Sequence, residues 1–304
     1  MASQRDVKRR IDSVKNIRKI TRAMEMVAAA RLRRAEQRIA HLRPYADAIR
    51  RMTRQAADAA GTEVGKLPIL QQHEREQSIA ILLVTADRGL AGAFNSQILR
   101  AGLRAAGEHE GEGRDIRFYA SGRRGVSSLT FRGREVIGGY TGFTERPSYA
   151  DAREIAQDLI TAYVDGEVDR VEILYNGYVS PLVQEVRRET LLPLQEATIL
   201  EEDGEDEEPS DEGERSGHHA LVEYEPDPEE ILQQLIPDYV EISLYRALLE
   251  STASELGARM TAMRNASENA GEIIDDLTLE MNRARQAEIT QEIMEVVAGA
   301  EALV

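Results

Sequence analysis

Cysteine and tryptophan are absent from this chain, phenylalanine occurs four times, and aromatics make up only 5% of its 304 residues. Without cysteine there can be no disulfide, no thiolate metal site and no thiol regulation. With so few large rings a compact globule of this size would lack core volume, so an elongated helical protein with one modest core fits better. No run of about 18 apolar residues occurs, so no segment reads as a membrane-spanning helix. The basic, amphipathic N-terminus also lacks the continuous apolar segment of a secretory signal. A cytoplasmic protein is expected. An Arg-rich, acid-poor N-terminus is shared by transit peptides, but the periodicity here runs on for about 50 residues, beyond such a presequence. Also missing are the phosphate-loop and dinucleotide patterns GxxxxGK[ST] and GxGxxG, and any Ser/His/Asp or Cys/His grouping that would suggest a nucleophile.

What is present is periodicity at both ends. Val7, Ile11, Val14, Met24, Ala28, Ala35, Ile39, Leu42, Ala46 and Ile49 recur at heptad-like steps, with Arg and Lys filling the rest. Leu249, Ala253, Leu256, Met260, Met263, Ala270, Ile274, Leu277, Met281 and Ala284 repeat the pattern near the other end, with Ser267 the polar seam position. Such stripes are buried if the two ends pair, which predicts an antiparallel coiled coil closed by the middle of the chain, and hence a mechanical or scaffolding part. The first helix is expected from Gln4 to about Ala60, capped by Ser3 and interrupted at Pro44. The last is expected from about Glu229 to Glu301; at ~1.5 Å per residue it reaches ~110 Å and projects past the first. Beyond Ala284 the seam slips, and Ile289, Ile293 and Val296 resume it in a new phase, which predicts a local change of supercoil pitch.

Between the ends, strands alternate with helices. Ser78–Thr85 is an apolar run of strand length that suits a central parallel strand. Asn95–Ala106 reads as a helix, Gly107–Gly113 as a loop, Ile116–Ala120 as a strand and Arg123–Leu129 as a short helix. Arg134–Ile137 and Val171–Tyr175 read as further strands on either side of a helix over Asp151–Val164, and Val183–Thr190 as an edge strand continued by Leu191–Leu200. Ala220–Glu225 is a last strand candidate. The expected fold class is α/β: a long antiparallel coiled coil of terminal helices plus a central open, Rossmann-like sandwich. The domains are 1–60, 61–225 and 226–304. Residues 201–217 form an acidic, low-complexity insert, expected to be disordered at the surface because it has no apolar area to bury.

Charge is unevenly placed. Residues 1–58 hold 16 Lys/Arg against 6 Asp/Glu, whereas residues 196–230 hold 16 acids against one Arg. A basic helix fits nucleic acid, an anionic membrane or an acidic protein partner; nucleic acid is the poorer match because no aromatics are interleaved and the rest of the chain is acidic. Thr85–Gly92 (TADRGLAG) lies where a phosphate-binding turn would be, between a strand and a helix, but it has no Lys and reads first as a structural turn, with Asp87 at the strand end. Glu272, Asp275, Asp276 and Glu280 read as a solvated helix face, and His218 and His219 sit in the flexible insert, where weak accidental metal affinity is expected in place of a specific site. In Ile20–Arg31, and again over Ile293, Met294, Val296, Val297 and Leu303, apolar and small residues surround the helix, more than a two-stranded seam requires. Something beyond the partner helix is expected to enclose them.

The segments RDVKRRIDSVKNIRKITRAMEMVAAARLRRAE and ARMTAMRNASENAGEIIDDLTLEMNRARQAEITQEIMEVVAGAEAL closely resemble the two signature ends of the gamma-subunit family of F-type ATP synthases. TADRGLAGAFN resembles that family's motif after its first strand, though without the Cys-Gly pair often found there, and YEPDPEEIL resembles the segment leading into its last helix. The missing cysteines exclude the thiol switch of the chloroplast members.

The resemblance implies a central rotor shaft that couples ion-driven rotation of a membrane ring to ATP synthesis or hydrolysis in a catalytic head. Its partners would be alpha, beta, epsilon and ring c subunits, in a peripheral position on the cytoplasmic face of the inner membrane. It further implies that Met24 faces acidic loops of the beta subunits. Arg285, Gln286 and Thr290 would make polar contacts with the head, Ile293 and Val297 would turn in an apolar bearing, and Tyr224 and Glu225 would touch the ring. Basic residues such as Arg9, Arg10, Arg18, Arg22, Arg31, Arg33 and Arg34 would meet acidic loops. No catalytic residue, cofactor or metal is expected in this chain. The residues alone leave two other readings open: a freestanding coiled-coil adaptor with a nucleotide-sensing α/β domain, and an enzyme using Asp87.

Overall fold

The computed structural model describes residues 4–60, 67–73, 75–194 and 227–301. In chain order these form α1 (Gln4–Ala60), β1 (Ser78–Val84), α2 (Phe94–Gly111), β2 (Asp115–Ser121), α3 (Arg123–Phe131) and β3 (Val136–Tyr140). They are followed by α4 (Tyr149–Val164), β4 (Arg170–Tyr178), β5 (Gln184–Leu192) and α5 (Pro228–Glu301). The acidic run 201–217, the strand candidate Ala220–Glu225, the pair Tyr224 and Glu225, His218, His219, Leu303 and the cap Ser3 lie outside the described residues.

The chain divides into two compact units, one of Met1–Leu32, Leu90–Gly92 and Leu256–Val304, the other of Arg33–Gly89 and Ala93–Glu255. The second unit is built on a five-stranded sheet of order β3-β2-β1-β4-β5, with the first four strands parallel and β5 antiparallel at the edge. Central β1 shows why its sequence is apolar throughout. Ile79, Ile81 and Leu83 pack on one face with Ile98, Ala105 and Ala106 of α2 and Leu129 of α3. Ala80, Leu82 and Val84 pack on the other with Ile155 and Leu159 of α4 and Val240, Leu244 and Leu248 of α5. A strand covered on both faces has no side to leave polar. A third cluster joins Ala56 of α1 to Leu67, Leu70, Leu194, Leu232 and Ile236.

Four expectations are corrected. α1 runs unbroken through Pro44, because Ala35 before it and Ile49, Thr53 and Ala56 after it are buried in the same unit and hold the helix in line despite the lost N–H. α2 does not end at Gly107 but continues to Gly111, since His109 is buried and bonded to Glu172, a tertiary contact that outweighs two glycines of poor helix propensity. β3 begins two residues later than the sequence suggests and includes Gly138 and Gly139; a side chain at Gly138 would meet the Tyr119 ring at 2.6 Å, so glycine here marks close packing and not a strand end. α4 also starts earlier than expected, at Tyr149, because Ser148 and Asp151 form a reciprocal cap.

In the first unit α1 and α5 pair antiparallel. Arg264 Nε donates to Glu25 Oε1 at 2.9 Å, and Gly271 sits against the Arg18 guanidinium, so α5 advances as α1 retreats. Val7, Ile11, Ala28 and Leu32 of α1 and Leu256, Met263 and Ala270 of α5 are buried, with Val14, Met24, Met260, Ile274, Leu277, Met281 and Ala284 half-buried. The predicted seam is therefore the packed one.

Candidate partner-contact surfaces

Two contacts fix the register of the helical pair. With equal rise in both helices, Glu25 opposite Arg264 and Arg18 opposite Gly271 put Gln4 opposite Arg285. Beyond Arg285, α5 has no α1 residue facing it among the described residues. Exposure agrees: every residue from Arg285 to Ala298 is exposed, including Ile293 at 57%, Met294 at 64%, Val296 at 73% and Val297 at 49%. Ile289, Ile293 and Val296, which resume the apolar spacing in a new phase, are exposed, and among the described residues no part of α1 faces them.

This unpaired stretch contains five of the predicted head-contact residues: Arg285, Gln286, Thr290, Ile293 and Val297, all exposed. Thr290 Oγ1 donates to Gln286 O at 2.9 Å, as a hydroxyl inside a helix does when nothing else competes for it. The sixth, Met24, is half-buried on α1 near a second exposed apolar surface made by Ile17, Ile20, Met26 and Val27. Around these, Lys8, Arg9, Arg10, Lys15, Arg18, Lys19 and Arg22 give α1 a basic exposed surface, while Glu268, Glu272, Asp275, Asp276 and Glu280 give α5 an acidic one. Apolar side chains exposed at this density on a helix mark a surface that a partner covers.

The turn after β1 has a structural task. Asp87 Oδ1 accepts from Arg123 N at 3.0 Å. Its Oδ2 accepts from Gly142 N at 2.9 Å, Thr144 N at 3.2 Å and Thr144 Oγ1 at 2.9 Å. Thr144 Oγ1 accepts in turn from Asp87 N, and Asn95 Oδ1 from Ala86 N, both at 2.9 Å. Burial alone would raise the Asp87 pKa, but the N–H groups of Arg123 and Gly142, with the hydroxyl and N–H of Thr144, hold it below the usual carboxylate value. The carboxylate ties together three loops at the carboxyl end of the sheet and is fully used in doing so. The partners Gly142 and Thr144 could not be found from sequence, because they lie more than 50 residues downstream without any pattern linking them.

In open sheets of this kind small ligands bind at the carboxyl ends of the strands where the order reverses, here between β1 and β4. α5 occupies that place. Thr252 Oγ1 donates to Thr144 O, and Ser254 Oγ to Asn176 O, each at 3.0 Å. The recess left among Thr85, Ser121, Thr144, Ser251, Thr252 and Glu255 is about 10 Å³, far too small for a nucleotide.

Comparison with known proteins gives one consistent result. The family described as ATP synthase matches residues 3–303. The chain is 45% identical over 303 residues to the ATP synthase gamma chain of Rubrobacter xylanophilus, covering 100% of this chain and 99% of the relative. It is 44% identical to that of Streptomyces avermitilis, covering 99% and 96%. Among solved structures it is similar to a chain of the Tetrahymena thermophila mitochondrial ATP synthase, described as central stalk and c-ring, at a TM-score of 0.60 and 25% identity over 82% of this chain and 99% of that one. A chain of the Euglena gracilis mitochondrial ATP synthase shares the fold at a TM-score of 0.67 and 18% identity, over 99% of this chain and 94% of that one.

Proposed function

The chain belongs to the family of ATP synthase gamma chains, and from that membership we propose that it is the central rotor shaft of an F-type ATP synthase, turning with a ring of c subunits inside a head of alpha and beta subunits. The observation that carries this reading is the stretch of α5 past Arg285, apolar, exposed and without a partner helix among the described residues. A helix end of this kind is stable inside a sleeve of other subunits, and an apolar sleeve suits rotation because it holds without directional bonds.

Ile293 and Val297 are the bearing surface in this reading. Arg285, Gln286 and Thr290 are polar points at which the turning helix engages the head, and Met24 with the basic surface of α1 faces acidic loops of the beta subunits. Tyr224 and Glu225 are assigned to the ring contact by family resemblance. An off-axis shaft contacts each catalytic subunit differently at any moment, so turning it shifts each subunit in sequence among states of different nucleotide affinity. Catalysis belongs to those subunits. The chain is accordingly a non-catalytic, peripheral component of a membrane-bound complex; among the described residues no helix is long and apolar enough to cross a membrane. We place it with the epsilon subunit on the cytoplasmic face of the inner membrane. Purification of the chain from its native membrane should bring alpha and beta subunits with it in fixed proportion; elution as a free protein would refute the reading.

A further inference from the structure

The 10 Å³ recess at the carboxyl end of the sheet has the features of a built site, although it excludes nucleotides. Ser121, the last residue of β2, is completely buried, and its Oγ has no hydrogen-bond partner among the described residues. An orphaned hydroxyl in the interior costs about 1–3 kcal/mol, so native structures seldom leave one unpaired. Its neighbours cannot serve it directly. Thr85 Oγ1 already donates to Ser121 O at 2.8 Å and accepts from Gly125 N at 2.8 Å. Thr252 Oγ1 donates to backbone carbonyls, Leu248 O at 2.8 Å and Thr144 O at 3.0 Å, which leaves it a lone pair to offer but no second hydrogen. Val84, Ala86, Phe94, Pro147 and Leu248 form the apolar, buried part of the wall, and Thr144, Ser251 and the buried Glu255 complete its polar part.

We infer that this recess is the binding site of one structural water, which pairs with Ser121 Oγ and bridges it to the hydroxyl face of α5 at Ser251 and Thr252. The volume matches a single water sphere, and a lasting buried water needs two to four polar partners, which this lining supplies. The water stands at the carboxyl ends of β1 and β2 and completes the polar joint between the strand ends and α5.

The test is a map at better than about 2 Å of the assembled complex containing this chain, beside one of the same complex carrying Ser121→Ala. The inference expects an isolated peak within hydrogen-bonding reach, about 2.6–3.2 Å, of both Ser121 Oγ and a hydroxyl of Ser251 or Thr252. In Ser121→Ala the peak should be lost or displaced while Thr85 and Thr252 keep their positions. A recess without density, Ser121 Oγ turned to a backbone carbonyl, or a peak unchanged in Ser121→Ala would each overturn it.

Discussion

Protonating Asp87 weakens the carboxylate that accepts from Arg123 at one oxygen and from Gly142 and Thr144 at the other. Its pKa in the folded chain lies below the ordinary 3.8, so the stabilisation it gives is complete above that value and is lost as pH falls through the folded value. Asp169 behaves alike: burial opposes ionisation, but His73 and the N–H groups of Ser78 and Gln77 outweigh it and hold its pKa low. The unsubstituted chain should therefore lose stability steeply below about pH 4. Asp87→Asn should begin about 1–2 kcal/mol less stable at pH 7, a modest cost because the carboxylate is partly solvated, and should fall less on acidification, keeping only the Asp169 part. Identical pH slopes in thermal melts of the two proteins would contradict this. Gly122 offers a second check. Its φ of 94° and the Thr85 carbonyl lying against it leave no place for a methyl group. Gly122→Ala should cost roughly 2–3 kcal/mol in denaturant melts, and a loss under about 0.5 kcal/mol would show that the turn relaxes freely.

At the scale of elements, the paired helices were legible because a seam is written locally, in every third or fourth residue; Val7, Ile11, Ala28, Met263 and Ala270 are buried where the pattern puts them. β1 was legible for a similar reason, as an apolar run bounded by polar residues. What the sequence could not express were contacts between distant residues. The last turn of α2 depends on Glu172 holding His109, β3 depends on the Tyr119 ring over Gly138, and the turn after β1 depends on Thr144. The exposed apolar surface proposed for the head contact was partly legible, since the apolar circumference near Ile293 calls for an enclosing partner; that Gln4, the first described residue of α1, lies opposite Arg285 needed the register. This position gives a prediction for α5. In the assembled complex Arg285→Ala should reduce ATP synthesis and hydrolysis without preventing assembly, because one charged contact worth about 1–3 kcal/mol is lost from a large surface. Unchanged rates would remove Arg285 from the working contacts.

For the whole molecule, the exposed apolar part of α5 has a consequence outside the complex. The isolated chain should self-associate at micromolar concentration, and Ile293→Asp should weaken that association; a monomeric sedimentation profile of the unsubstituted chain would count against the surface. Inside the complex the same surface should be enclosed, and the chain should turn. The absence of cysteine makes this directly measurable, since Arg132→Cys, at an exposed position after α3, provides the one thiol on this chain for attaching a bead. With the head of alpha and beta subunits fixed to a support and ATP supplied, the bead should rotate in one direction and stop when ATP is withdrawn. A head that hydrolyses ATP at full rate while the bead stays still would contradict the shaft.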